Sequence, residues 1–180
     1  MGTRPPGYAP PVTESPEDLR AAAADAVSRR CRDDGRTVAV AESLTGGMVS
    51  QSLSVAQGSA QWFRGALVAY SSEVKHEVLG VPEGPVVSAQ AAVAMARGVR
   101  SLLGADVAVA VTGAGGPDPQ DGREPGTVFL AAVDGAGVVV QEHRFSGGPT
   151  EVCAATAQAA LSLLEDRVCT PEPADATSAS

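Results

Sequence analysis

The sequence predicts an α/β domain, a three-layer α/β/α sandwich around a mixed, mostly parallel sheet. Three observations carry this reading. Capped segments of helical period alternate with short apolar runs, as in chains that wind helices over a sheet. The run 107–113 (VAVAVTG) is apolar without interruption, the pattern of a strand buried on both faces. The stretch 127–145 folds back on itself at Asp134-Gly135-Ala136-Gly137, which adds an antiparallel hairpin.

Taken in order, Ser15-Pro16-Glu17-Asp18 opens a helix, with a capping hydroxyl, proline in the first turn and acids at the positive end of the dipole. This helix is expected to run to Gly35. Residues 37–43 (TVAVAES) read as a short buried strand, and Thr45 through about Leu53 as a helix. A second strand is expected at 66–71 (ALVAYS), then a short helical stretch over 72–79. Ser88 caps a long helix in which Val93, Ala96, Val99 and Leu103 recur at helical spacing before Gly104 stops it. After the strand at 107–113 and a Gly/Pro-rich loop come the hairpin and a last helix from Thr150 to about Arg167. Val152, Ala155, Ala159 and Leu163 mark its expected inner stripe.

The flanks 1–14 and 169–180 have no apolar period and are expected to be a disordered lead-in and tail around one domain at 15–168. No internal repeat is present. Neither an apolar leader segment nor a run of about 18 apolar residues occurs, so a cytoplasmic protein without a membrane span is expected.

A formal net charge of −8 disfavours nucleic acid and anionic membranes as partners, and any anionic substrate needs a local positive site. Three cysteines without CxxC spacing suggest neither a disulfide framework nor zinc. The two histidines, His76 and His143, lack companions at metal-ligand spacing, so no metal is expected. With one Trp, two Tyr and three Phe, the core must be built of small aliphatic side chains, and Trp62-Phe63 is expected to seal it.

Candidate chemistry gathers at strand ends, where open α/β sheets tend to hold ligands. Glu42-Ser43-Leu44-Thr45-Gly46-Gly47 passes from strand to helix, so hydroxyls and backbone N–H groups converge there with a helix dipole behind them. This suits a nucleophile with an oxyanion site held by the amides at the start of the following helix; the plainer alternative is that Ser43 and Thr45 only cap it. Tyr70 ends the second strand, and Lys75 follows about one helical turn later. Lys75 is the only lysine, beside twelve arginines. A desolvated lysine can lose its proton near neutral pH, which arginine cannot, so Ser43 and Lys75 could form a Ser–Lys dyad with Tyr70 as proton relay. A solvated lysine and a packed tyrosine are the alternative. Thr112-Gly113-Ala114-Gly115-Gly116-Pro117 follows the most apolar strand, where successive amides could cradle a phosphate or carboxylate. Its spacing misses the dinucleotide-binding fingerprint.

The segments 41–47 (AESLTGG), 57–75 (QGSAQWFRGALVAYSSEVK), 79–82 (LGVP), 111–118 (VTGAGGPD) and 125–128 (PGTV), in this order, resemble the CinA C-terminal domain family over roughly residues 17–168. The resemblance implies an amidase that converts nicotinamide mononucleotide to nicotinate mononucleotide and ammonia without metal or organic cofactor. It implies Ser43 as nucleophile, Lys75 as its base and Tyr70 as helper, with Thr112 near the substrate; Glu42, Thr45, Gly46, Gly47, Gly113, Gly115 and Gly116 are the further residues expected about the substrate. A homodimer or higher homo-oligomer fits the family and the alanine-rich helix faces. The extra N-terminal domain of larger CinA proteins, with its pyrophosphatase activity, is expected to be absent. One departure concerns the substrate. The family usually places an Arg after the last strand, where this chain has Gly147-Gly148-Pro149. Arg144 or Arg123 must then hold the nucleotide, or the substrate differs: another small carboxamide, or a nucleotide bound without turnover.

Overall fold

A computed structural model describes residues 15–169. The expected flanks 1–14 and 170–180 lie outside the described residues, and Cys169 is the C-cap of the last helix. The elements are α1 (Pro16–Asp34), β1 (Val38–Glu42), α2 (Met48–Ser54), α3 (Ser59–Trp62), β2 (Phe63–Val68), α4 (Ser72–Glu77), α5 (Ala89–Leu103), β3 (Val107–Gly113), β4 (Thr127–Asp134), β5 (Gly137–Arg144) and α6 (Pro149–Val168). They build one five-stranded sheet in the order β2-β1-β3-β4-β5. Strand β1 pairs in parallel with β2 and β3, while β4 runs antiparallel to both β3 and β5. Four of the five strands therefore point the same way, as expected of a mixed, mostly parallel sheet.

The buried strands alternate by size rather than by polarity. Val38, Val40, Val107, Val109 and Val111 face one core with α1, α2 and α6, whereas Ala39, Ala41, Ala108 and Ala110 face the other with α5. Successive strand residues point to opposite faces, so the repeat V-A-V-A is a two-residue period that gives one face bulk and the other close approach. Small alanines let α5 lie tightly against the sheet through Ala92, Met95, Ala96 and Val99. On the bulky side, Trp62 and Leu53 close the core between α1 and the sheet edge, with Trp62 Nε1 donating to the Gln57 carbonyl at 3.2 Å.

Local signals set the helix ends. Ser15 and Asp18 form a reciprocal capping box on α1, Gly35 ends it in the left-handed region, and Ser88 and Gly104 bracket α5 in the same manner. Three expectations need correction. The second helix begins at Met48 rather than Thr45, because 43–47 form a turn with Gly46 and Gly47 at positive φ. Strand β2 starts at Phe63 and stops at Val68, so Tyr70 lies beyond its end. The inner stripe of α6 keeps the expected Val152 and Leu163 and adds Thr156, Ala157, Ala160, Leu161, Leu164 and Val168, with Ala155 and Ala159 only half-buried, since the helix sits against both α1 and the sheet.

Asp134 locks the hairpin. Its Oδ1 accepts from the amides of Ala136 and Gly137 and from Arg167 of α6, while Arg36 reaches its Oδ2 at 3.5 Å. No helix among the described residues is long and apolar enough to cross a membrane.

Gly98 gives a test of the tight α5 layer. Alanine normally favours a helix over glycine by about 1 kcal/mol, yet a Cβ at Gly98 would stand 2.3 Å from the Leu79 carbonyl oxygen. Gly98→Ala is expected to destabilise the domain by about 1–3 kcal/mol in chemical denaturation, reversing the sign that helix propensity alone would give.

Candidate active site

The connection leaving β1 crosses one face of the sheet through α2, and the one entering β3 crosses the other through α5. A crevice is thereby left at the carboxyl ends of β1 and β3, the usual ligand position in open α/β sheets. At that edge lies a cavity of about 180 Å³ lined by Ser43, Leu44, Tyr70, Gly113, Gly115, Gly116, Asp118, Gln120, Pro149 and Cys153. Ser43, Tyr70 and the three glycines, singled out in the sequence, thus share one wall system. The lining holds one carboxylate and no lysine or arginine.

The turn that presents Ser43 is organised by a carboxylate. Glu42 is fully buried at the end of β1; its Oε2 accepts from the Thr45 hydroxyl at 2.7 Å and from the amides of Gly47 and Val49, each at 3.1 Å, and its Oε1 accepts from the Ser50 amide at 2.8 Å. Glu42 is therefore the N-terminal cap of α2, and neither Ser43 nor Thr45 performs that task. The helix-start amides expected to face an oxyanion are occupied: those of Gly47, Val49 and Ser50 by Glu42, that of Gly46 by the Ser43 carbonyl and that of Met48 by the Thr45 carbonyl. In this turn the amides of Leu44 and Thr45 have no partner among the described residues, and neither does the Ser43 hydroxyl. The Leu44 carbonyl accepts from Cys153 Sγ at 2.9 Å, which fastens the turn to the first turns of α6.

Lys75 lies on α4 and is only 1% exposed. Its Nζ donates to the Tyr70 carbonyl at 3.0 Å, and among the described residues it forms no ion pair. Burial pushes its pKa below the ordinary 10.5, opposed by the negative charge of Asp121. The solvated-lysine alternative is thereby removed. The ammonium meets the site through the backbone of Tyr70, whose ring is 75% exposed at the cavity mouth. No hydrogen bond joins Lys75 to Ser43 directly.

Other expected residues lie apart from the lining. Thr45 and Gly47 donate to Glu42, while the Gly46 amide is held by the Ser43 carbonyl. Thr112 is buried, its hydroxyl donating to the Val86 carbonyl at 2.7 Å. Arg144, at the exposed end of β5 and paired in register with Thr127, projects on the α5 side of the sheet. Arg123 stacks over the Phe129 ring at 5.4 Å. Sequence reasoning missed Cys153, Gln120, Asp118 and Asp121, all brought in by long-range folding with no local signal. Glu42, expected about the substrate, is instead fully buried as the cap of α2 and is absent from the cavity lining. Among the described residues no group of three or more His, Cys, Asp or Glu is arranged to hold a metal ion.

The cap gives a prediction for stability. Glu42→Gln keeps the shape, removes the charge and replaces one acceptor oxygen by a donor, so it is expected to lower the unfolding free energy by about 2–3 kcal/mol, read from urea midpoints.

Residues 20–168 match the family model described as the CinA C-terminal domain. A CinA-like protein of Geobacter sulfurreducens is 44% identical over 151 residues, covering 81% of this chain and 37% of its own length. A putative competence-damage inducible protein of Bacillus subtilis is 37% identical over 131 residues, covering 70% of this chain and 32% of its own. The chain thus spans about a third of the length of the curated relatives it matches. Among solved structures, the competence/damage inducible protein of Agrobacterium tumefaciens superposes with a TM-score of 0.79 at 31% identity, covering 84% of this chain and 96% of that one. That of Enterobacter asburiae gives 0.79 at 27% identity, with 87% and 99% covered. By sequence over most of its length and by fold, this chain belongs to the CinA C-terminal domain family.

Proposed function

We propose that the domain is an amidohydrolase that deamidates nicotinamide mononucleotide to nicotinate mononucleotide and ammonia through an acyl-enzyme on Ser43. The observation that carries this reading is the environment of Lys75: the only lysine in the chain is dry, held by a single carbonyl, and pushed toward its neutral form. A structural cation would be served by arginine, which stays protonated.

The neutral amine of Lys75 takes the Ser43 proton as the oxygen attacks the carboxamide carbon. The amides of Leu44 and Thr45, the unpartnered donors of the turn, stabilise the oxyanion, a contribution of roughly 10²–10³ in rate for one such donor. Collapse of the tetrahedral intermediate expels ammonia, which receives the proton from Lys75. Water then attacks the ester, Lys75 takes its proton and passes it to the departing Ser43 oxygen, and the acid leaves with the hydroxyl and the neutral amine restored. Ligand-free sites commonly show their catalytic hydrogen bonds lengthened, and in this reading the Ser43–Lys75 hydrogen bond forms only when substrate is bound. Tyr70 joins the two partners, its carbonyl on Lys75 and its residue in the cavity wall with Ser43.

A second reading has its own support. The cavity has no cation and one carboxylate, Asp118, in its lining, which suits an uncharged carboxamide better than a phosphate. Under it the same chemistry serves another small amide. Ammonia release measured side by side with nicotinamide mononucleotide, nicotinamide and simple amides separates the two; tight nucleotide binding without ammonia release from any of them would make the domain a binding module.

On whichever amide turns over, Ser43→Ala is expected to abolish measurable turnover, and Lys75→Arg, which keeps the charge and removes the base, to cost about 10²–10⁴. Activity should rise with pH through the lowered Lys75 pKa. The sign for stability follows from proton counting. Between the lowered folded value and the ordinary 10.5, the unfolded chain binds more protons, so the lysine's contribution to stability improves as pH rises and is least favourable below that window. Lys75→Met is accordingly expected to raise Tm at neutral pH, at about 2–4 °C for each kcal/mol of relieved burial cost, while eliminating turnover. An active Lys75→Arg protein would refute the mechanism.

A further inference from the structure

The two unpartnered amides of the Ser43 turn are oriented by different groups. A trans peptide is planar, so its carbonyl and its N–H point in opposite directions within one rigid unit, and whatever holds the carbonyl aims the N–H. The Leu44 N–H shares a peptide with the Ser43 carbonyl, which accepts from the Gly46 amide at 3.1 Å. That donor is therefore set inside the turn itself. The Thr45 N–H shares a peptide with the Leu44 carbonyl, and the group on that carbonyl is the Cys153 thiol, at 2.9 Å and 109 residues away in the chain. No other hydrogen bond among the described residues reaches this peptide unit. Glu42 takes the Thr45 hydroxyl and amides further on, and leaves the Leu44–Thr45 peptide to Cys153.

The helix that carries this thiol is itself firmly placed. Pro149 and Cys153 stand four residues apart on α6, so they share a face, and both line the cavity that holds Ser43. One turn further on, the same face enters the core at Ala157, which is fully buried. Ser43 lies in the same cavity, 8% exposed, with a hydroxyl that has no partner among the described residues. A buried polar group normally has one, so this cavity suits a ligand that supplies it. The other two cysteines, Cys31 and Cys169, are absent from the lining.

We propose that Cys153 is a positioning residue of the reaction: its S–H, donated to the Leu44 carbonyl, aims the Thr45 N–H at the oxygen that becomes negative when Ser43 attacks. This role rests on Ser43 being the nucleophile. An S–H is a weak donor, so the bond adds little to stability, and its consequence is direction. A donor that is loosened rather than removed is expected to cost about tenfold in rate, less than the roughly 10²–10³ of losing one outright.

Cys153→Ala removes the donor, and Cys153→Val removes it while refilling its volume. On whichever amide turns over, both are expected to lower kcat by about tenfold and leave KM in place, because the aimed N–H is used only as the oxyanion forms. Cys153→Ser keeps an O–H donor and should recover most of the loss. A second readout needs no substrate. The amide nitrogen of a peptide responds to hydrogen bonding at the carbonyl of the same unit, so in ¹⁵N-labelled protein the Thr45 signal should move in the Ala and Val variants and return toward its original place in the Ser variant. A purely structural Cys153 would lower Tm without this split between kcat and KM. An unmoved Thr45 signal in a folded donor-free variant, an unchanged kcat, a loss confined to KM, or a Ser variant as slow as the other two overturns the proposal. Ammonia release that survives Ser43→Ala would instead retire the serine mechanism, and this role with it, so the two failures are read on different variants.

Discussion

The site depends on keeping one ammonium out of water. A buried, unpaired lysine is costly, and proteins normally neutralise it by lowering its pKa or by supplying a carboxylate at contact distance. Here Lys75 has a carbonyl at 3.0 Å, forms no ion pair among the described residues, and is pushed by burial below its ordinary pKa. A contact salt bridge would hold the amine in its charged form, which the proposed mechanism could not use as a base. The geometry is maintained by backbone bonds, which position the amine without fixing its charge.

The sheet supplies the rigidity this requires. Valines on one face and alanines on the other bury β1 and β3 completely, so the strand ends that carry Ser43 and Gly113 are fixed from both sides. Beyond the strand, order passes from packing to hydrogen bonds. Glu42 gathers four donors, holds the start of α2 and leaves Ser43, itself buried, in the cavity wall at the turn before it. A charged acceptor spent on a helix start stabilises the fold through the same dipole that would otherwise attract a substrate anion. The Ser43 turn therefore owes its shape to a structural carboxylate, and under the proposed mechanism the oxyanion falls to the earlier amides.

Much of this was legible in the residues. Caps at Ser15 and Ser88, glycines at 35 and 104 and the uninterrupted run 107–113 encode their elements locally, and the hairpin follows from its turn. The two-residue rhythm of Val and Ala takes its meaning only from the fold, which sends the two residue types to separate cores. Ser43, Tyr70 and the glycines at 113, 115 and 116 were recognisable because strand ends concentrate ligand contacts. Tertiary partners were less accessible. Thr45 looked like a cap until the neighbouring carboxylate took that role, and Thr112 looked like a substrate contact until its hydroxyl was found on Val86. Asp121 takes the amides of Val86 and Val87 across 35 and 34 residues of chain, and no periodicity marks it. Arg144 was chosen for its charge; the alternation of β5 turns it away from the cavity.

The chemistry stands or falls on whether the acyl group passes through Ser43. Rapid acid quench during turnover of nicotinamide mononucleotide, followed by peptide mass spectrometry, reads this directly. The account predicts a substrate-derived acyl group on the peptide containing Ser43, accumulating faster as pH rises and missing in Lys75→Arg. Steady ammonia release with that peptide unmodified at every time and pH would contradict it.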